Sequence, residues 1–488
     1  MNKPIRMMSI FCLLLFVALL LNATYLQYVD ADDLNSRSDN KRVRDAEFSR
    51  KRGAIVAGGT SVAESTKVDD QYVYQRGYKQ PLRHAHLTGF YSYVYGRSGV
   101  ESSQNEILSG SDPRLFVDRV VDMLGNSQPN GGSVSLTVDP RAQTAAFEGL
   151  RALGGNVEGA VVAIEPATGK LLAMVSSPTY DPNDLASHDF SDVQRTWNRL
   201  NADEDRPLLN RSIQEVYPPG STFKLVTAAA ALSSGQYTPA TKVKGGATLD
   251  LPQTSTDLVN DNGSSCGGSR ITLTQALEVS CNVSFGDIGL KLGPDALREQ
   301  AERFGFDQTY LDDLDGQVRS RFPTDPDEPQ TALSSIGQFD VASTPLQMAM
   351  VGAGIANGGT VMRPYVVDEV RAPDLSVLDK TRPEAYRSNA VSSSVARDLT
   401  EMMVSVVDQG TAGTAKIPGV KVAGKTGTAQ SSPERPPYAW FVSFAPADDP
   451  QVVVAVLVED AGVERDAISG SGLAAPIAKR VMEAVVDR

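Results

Sequence analysis

The first strong pattern along the chain is an apolar run from Met7 to Leu21 that continues amphipathically to about Tyr28. Fifteen residues, apolar but for Ser9, suit a signal-peptide core, whereas twenty-two with the interfacial Tyr25 and Tyr28 suit a thin spanning helix. Lys3 and Arg6 precede the run, acids at Asp30, Asp32 and Asp33 follow it, and no small-x-small cleavage site lies close behind. The pattern predicts a single-pass signal-anchor over 7–28, residues 1–6 inside and the body of the chain exported, with a cleaved signal as the alternative. Lys41, Arg42, Arg44, Arg50, Lys51 and Arg52 make the 29–50 stretch a charged linker, either solvated or lying against anionic lipid headgroups.

From about residue 51 to 134 the pattern breaks into short Gly, Ser and aromatic segments, among them Tyr72, Tyr74, Tyr78 and Phe90-Tyr91-Ser92-Tyr93. They predict a small domain of irregular short strands with a helix around Leu115–Leu124, ending at Asn130-Gly131-Gly132. No nucleophile paired with a base lies within it. Beyond it the periodicity sharpens. Asp139-Pro140 caps a helix running to Leu153 and stopped by Gly154-Gly155. Gly159–Glu165 and Leu171–Ser176 flank Pro166-Ala167-Thr168-Gly169 as a hairpin of two apolar strands. Leu273–Val279 and Pro345–Ile355 read as helices, and Val420–Thr428, Ala439–Phe444 and Val452–Glu459 as three successive strands, the last two joined by the turn Ala447-Asp448-Asp449-Pro450. An amphipathic helix over Ala475–Val486 closes the chain. Strands at both ends of this region with helices between them predict one antiparallel sheet covered by helices.

Composition narrows the chemistry. A chain of 488 residues is too long for one compact core. Its net charge of −13 disfavours nucleic acid as a partner, since binding phosphates needs a basic face. The only histidines are His84, His86 and His188, and the only cysteines Cys12, Cys266 and Cys281. No Cys or His cluster has zinc spacing, and a Ser-His-Asp mechanism is disfavoured, so neither metal nor cofactor is expected. Proton traffic in the C-terminal half must run through other groups.

Three motifs can supply them. Tyr217-Pro218-Pro219-Gly220 turns the backbone sharply into Ser221-Thr222-Phe223-Lys224, which opens an almost wholly apolar helix. Positions i and i+3 share a face, so Lys224 projects beside Ser221. An ordinary lysine is protonated; burial near a second cation would lower its pKa and free the amine to accept the serine proton. Taken alone, Ser221 is as readily a helix cap and Lys224 a solvated residue. Ser280-Cys281-Asn282 offers a hydroxyl and an amide two residues apart, and Lys425-Thr426-Gly427-Thr428 ends an apolar strand with a second cation and two hydroxyls. Each is weak alone; in the order S-x-x-K, S-x-N, K-T-G they are specific.

In these motifs the chain resembles the penicillin-binding proteins, specifically the class B D,D-transpeptidases, and most of all the actinobacterial penicillin-binding protein A group. Further similar stretches are Thr137-Val138-Asp139 with Gln143, Asp181-Pro182-Asn183, Asn210-Arg211, Gly337-Gln338, Thr344 through Ala349 and Ala356-Asn357-Gly358-Gly359. Arg52-Gly53-Ala54-Ile55 and Gly99-Val100-Glu101 are similar to the family's pedestal segments, while Val56-Ala57-Gly58-Gly59 departs from its usual acidic stretch. The resemblance implies an α/β (α+β) fold of the serine β-lactamase/transpeptidase type, with a five-stranded antiparallel sheet covered by helices. It divides the chain into a cytoplasmic tail (1–6), an anchor (7–28), a linker (29–50), a dimerisation-type pedestal (51–134) and a transpeptidase domain (135–488).

The family's chemistry, carried onto these positions, makes Ser221 the nucleophile toward a peptidoglycan stem peptide ending in D-Ala-D-Ala, with Lys224 as base and Ser280 as proton relay. It makes Asn282 a ligand of the peptide amide, and Lys425, Thr426, Gly427 and Thr428 the binding strand for the terminal carboxylate. The backbone N–H groups of Ser221 and Thr428 would form the oxyanion hole. β-Lactams would acylate the same serine, and a membrane glycan polymerase and division or elongation proteins would be partners. A serine β-lactamase and a non-enzymatic docking protein are the rival readings. Cys266 and Cys281 both lie in the exported part and are expected to pair, closing a loop of about fifteen residues worth roughly 3 kcal/mol; two free thiols are the alternative.

Overall fold

The computed structural model describes residues 3–30, 34, 41–115, 130–154, 157–430 and 435–486. The predicted anchor is a single helix, Lys3–Tyr28, with no buried residue, and among the described residues it is the only helix long and apolar enough to cross a membrane. The 29–50 stretch is more than the solvated linker its charges suggested, because Lys41–Phe48 is a helix. Its last residue, Phe48, stacks on Tyr91 with ring centroids 4.3 Å apart and meets Tyr72 edge-on, apolar partners that lie far along the chain. Of the helix expected around Leu115–Leu124, only Leu115 is described, as the end of a one-turn 3-10 segment; the rest lies outside the described residues.

The five-stranded sheet is built from β1 (Glu158–Ile164), β2 (Leu171–Ser177), β3 (Ala423–Ala429), β4 (Tyr438–Ala445) and β5 (Val452–Asp460). Its order is β3-β4-β5-β1-β2, every pair antiparallel, so the two ends of the domain meet where β5 pairs with β1. Val452 through Val458 are all buried, which explains why these strands read as continuous apolar runs without alternation: both faces of the sheet are covered. Helices Pro140–Arg151 and Ala475–Val486 pack on each other and on the sheet, as do Pro345–Ala356 and Ser393–Asp408. Asp139 caps the first of these by accepting from the N–H groups of Arg141 and Ala142, as expected. The strand expected from Val420 starts at Ala423, because Ile417 and Val420 pair with each other in a tight turn.

A second, six-stranded sheet forms the base. Its order is 377–380, 367–371, 133–136, 55–57, 60–67, 74–78. Two of its strands thus come from residues 367–380, in the middle of the C-terminal region. Under it, the buried Glu101 takes Arg52 Nε at 2.5 Å and Arg76 Nε at 2.6 Å, fixing segments far apart in sequence. Across the junction of the two sheets, the Asn183 side chain pairs with both the N–H and the carbonyl of Tyr78.

Candidate active site

Ser221 lies in a 3-10 turn, Gly220–Phe223, and the α-helix proper begins at Lys224. Its side chain caps nothing, and Lys224 is fully buried, so the cap-and-solvated-lysine alternative is excluded. The turn is held from three sides. Trp440 Nε1 on β4 donates to the Pro218 carbonyl at 3.0 Å, Gly220 N donates to the Gly337 carbonyl at 3.0 Å, and Tyr217 pairs with Ser343 through both backbone groups. Gly220 has φ 52°, the left-handed region that favours glycine, and a Cβ there would lie 2.8 Å from the Thr428 carbonyl. Gly427 is needed for the matching reason: a Cβ on it would meet Thr222, Trp440 and the Pro219 carbonyl at about 3 Å. The glycine of K-T-G therefore makes room for the turn that carries Ser221.

Ser280 is placed by the end of the preceding helix, Leu273–Glu278. Cys281 N donates back to the Ala276 carbonyl and Ser280 N to the Leu277 carbonyl, the double bond of a Schellman ending, with Ser280 at φ 59° in the slot glycine normally takes. A serine there costs roughly 1 kcal/mol of backbone strain and gains a hydroxyl at the site. Cys281 then starts the helix Asn282–Leu292, with Asn282 in its first turn.

These elements converge. Lys224 Nζ bonds the Ser280 carbonyl at 2.7 Å, Ser280 Oγ at 3.2 Å and Asn282 Oδ1 at 2.6 Å, and none of its hydrogen bonds goes to Ser221 Oγ. Lys425 Nζ reaches the same Ser280 Oγ at 2.9 Å and the Thr426 carbonyl at 2.8 Å. The Ser280 hydroxyl thus bridges two buried amines. Burial lowers the Lys224 pKa to about 7, against a smaller opposing pull from Asp261. Lys425 is held well below the ordinary lysine range by burial first and by the charge of Lys224 second. The second cation thus acts chiefly on Lys425, while Lys224 owes its shift to burial. An amine neutral near pH 7 still has two N–H donors for the Ser280 and Asn282 carbonyl oxygens and keeps a lone pair for a proton.

Above the amines opens a cleft of about 590 Å³, lined by Ser221, Ser280, Thr426, Thr428, Ser469 and the 260–267 loop, among others. Thr426 and Thr428 alternate with Lys425 along β3, so their hydroxyls share its cleft face while Lys425 points beneath. Thr426 Oγ1 is 2.7 Å from Thr411 Oγ1. Cys266 and Cys281 form a disulfide that ties the loop to the S-x-N segment. Sequence reasoning missed three contributors. Asp261 accepts from Asn282 Nδ2 at 2.9 Å; Asn260 accepts from Val283 N at 3.1 Å and so fixes the start of the Asn282 helix; Thr411 supports Thr426. Asn260-Asp261-Asn262-Gly263 reads as ordinary turn chemistry, and no local pattern marks it as a wall of the site.

A serine on a helical turn, a hydroxyl bridging two buried lysines and a threonine-bearing edge strand are the parts that serine–lysine acyl transfer requires, here on a sheet-and-helix fold. The model of the penicillin-binding protein transpeptidase domain matches residues 159–483, and that of the penicillin-binding protein A dimerisation domain matches residues 52–134. The chain belongs to the penicillin-binding protein transpeptidase family. It is 44% identical over 493 residues to the peptidoglycan D,D-transpeptidase PbpA of Mycolicibacterium smegmatis, across 100% of this chain and 99% of that protein. With PbpA of Mycobacterium tuberculosis it is 43% identical over 495 residues, again across 100% and 99% of the two chains. Penicillin-binding protein A from M. tuberculosis in a ceftriaxone acyl-enzyme complex superposes with a TM-score of 0.87, covering 91% of this chain and 100% of that one at 43% identity. Its penicillin G acyl-enzyme complex gives 0.85 over 90% and 100% at 43% identity.

Proposed function

We propose that the protein is a peptidoglycan D,D-transpeptidase working through an acyl-enzyme on Ser221. The observation that carries the reading is the Lys224–Ser280–Lys425 chain of hydrogen bonds, buried directly behind the cleft that Ser221 lines. Ser221 Oγ attacks the carbonyl of the penultimate D-Ala while neutral Lys224 takes its proton. The tetrahedral oxyanion lies against the N–H groups of Ser221 and Thr428. Ser280 relays a proton to the departing D-Ala amine, and the C–N bond breaks. An amine of a second stem peptide then attacks the ester carbon and passes its proton to Lys224, which returns it to the departing Ser221 Oγ, leaving the cross-link. Asn282 orients the donor's amide, and Thr426 and Thr428 with the charge of Lys425 hold the terminal carboxylate. The donor lies along β3 as an added strand.

A β-lactam presents an amide carbonyl to the same serine and leaves a stable ester. The Lys3–Tyr28 helix anchors the chain in the membrane with its N-terminus inside, next to a glycan polymerase that supplies the strands to be joined. Labelling the full chain with a fluorescent penicillin tests the chemistry. The native protein should form an adduct lasting many minutes, and Ser221→Ala should form none. Persistent labelling of the variant, or fast turnover of the penicillin, would sink the reading. Co-purification of a polymerase from membranes tests the partner.

A further inference from the structure

The reaction just proposed uses two substrates of different charge, and the site already described accounts for one of them. The donor ends in a carboxylate, which the threonines and Lys425 suit. The acceptor arrives as an ammonium ion, and the two lysines beneath the cleft offer it no counter-charge. Among the described residues lining the cleft, Asp261 alone has an ionisable side chain outside the disulfide.

Its placement is unusual for a turn residue. The neighbouring Asn260 is buried, donates to the Gly246 and Ser264 carbonyls at 2.9 and 2.8 Å, and accepts from Val283 N. Five residues on, Cys266 is covalently tied to Cys281. Asp261 itself is exposed, with Oδ1 taken by Asn282 Nδ2 at 2.9 Å. Among the described residues, Oδ2 receives no protein hydrogen bond. A carboxylate is thus held rigidly at the cleft wall, one side chain away from Lys224, with an oxygen free for a ligand. Such a carboxylate attracts a cation and requires no reorganisation when one binds.

We propose that Asp261 is a specificity-determining residue that binds the acceptor's ammonium group and draws amines, in preference to water, onto the Ser221 acyl-enzyme; the bound ammonium gives one proton to solvent and attacks as the free amine. The inference rests on the transpeptidase reading and deepens it. Asp261 acts on acylation only through Asn282 and Lys224, which serve every acceptor alike, so the choice between acceptors separates its role from a structural one.

The full chain in detergent is acylated with a thioester donor, and the acyl group is partitioned among water, methanol and Nα-acetyl-lysinamide, whose side-chain amine is its only ammonium. For Asp261→Asn, which keeps the oxygen facing Asn282, the apparent KM for the amide amine should rise about tenfold. The native enzyme's KM should rise with salt and the variant's should not, while Asp261→Glu should recover part of the effect. The ratio of amine transfer to methanolysis from one acyl-enzyme, in which any effect passed through Asn282 to Lys224 cancels, should fall about tenfold, and retained penicillin labelling establishes that the variant is folded. Unchanged transfer to the amine, or a parallel loss of methanolysis, would overturn the inference. Failure of the native chain to be acylated at all would instead overturn the transpeptidase reading on which it rests.

Discussion

Two buried clusters in this molecule each hold two cations, and their surroundings make opposite use of them. In the base, Arg52 and Arg76 close on the fully buried Glu101. Burial alone would raise the Glu101 pKa, but Arg76 and Arg52 outweigh it and hold the carboxyl below its usual range. Each arginine there faces the same carboxylate. In the catalytic domain, Lys224 and Lys425 share only a hydroxyl and carbonyl oxygens, and the nearest carboxylate, Asp261, reaches them through Asn282. With no counter-ion in contact, burial wins and both pKa values fall, that of Lys224 to about 7. The lesson is that a buried cation is scaffold or base according to whether a carboxylate touches it.

Reversing the roles is the sharpest test. Lys425→Met should reduce penicillin acylation by about a hundredfold or more while leaving Tm unchanged or raised, since an unpaired buried amine is removed. Glu101→Gln should do the converse. It strands two arginines and should lower stability by about 3–5 kcal/mol in denaturant titration, with acylation per folded molecule little altered. A Lys425→Met variant that melts early, or a Glu101→Gln variant that melts normally, would erase the contrast.

The cleft wall lacks an ion pair to hold it and uses the covalent tie instead. Cys281→Ser should cost about 3 kcal/mol by the chain-entropy estimate for a loop of this length, measured by Tm with and without reductant on both proteins. The smallest effect is in pH. With Lys224 near 7, acylation should rise as pH climbs through about 7 and fall about tenfold per unit below it. For stability the sign follows from proton counting. Between about pH 7 and 10.5 the unfolded chain binds the Lys224 proton and the folded chain does not, so this residue makes folding more favourable as pH rises across that window. An acylation profile flat from pH 5 to 9 would mean the amine is not the base.

Much of this was legible in the chain itself. The hairpin of β1 and β2, the three closing strands, the capped Pro140 helix and the final helix lie within a few residues of where apolar patterning puts them. Cys266 and Cys281 are joined, as their exported position suggested. What could not be read locally involves partners that patterning ignores. Nothing near Val367 says that it will extend a sheet begun at Ile55, because strand pairing is set by register across the fold. Nothing near Lys41 says that Phe48 will find Tyr91.

By itself the sequence determined the elements and the reagents: periodicity dictates strand or helix, and a serine, two lysines and their flanking glycines carry their chemistry wherever they fold. The tertiary structure decided what those reagents are. Burial lowers the Lys224 pKa toward neutrality, the left-handed ending at Ser280 sets its hydroxyl between two amines, and the tied loop brings Asp261 to the wall. The physical reason is that desolvation and charge proximity depend on distance in space, and only the closed fold brings residues 221, 280 and 425 within hydrogen-bonding reach of one another's neighbours.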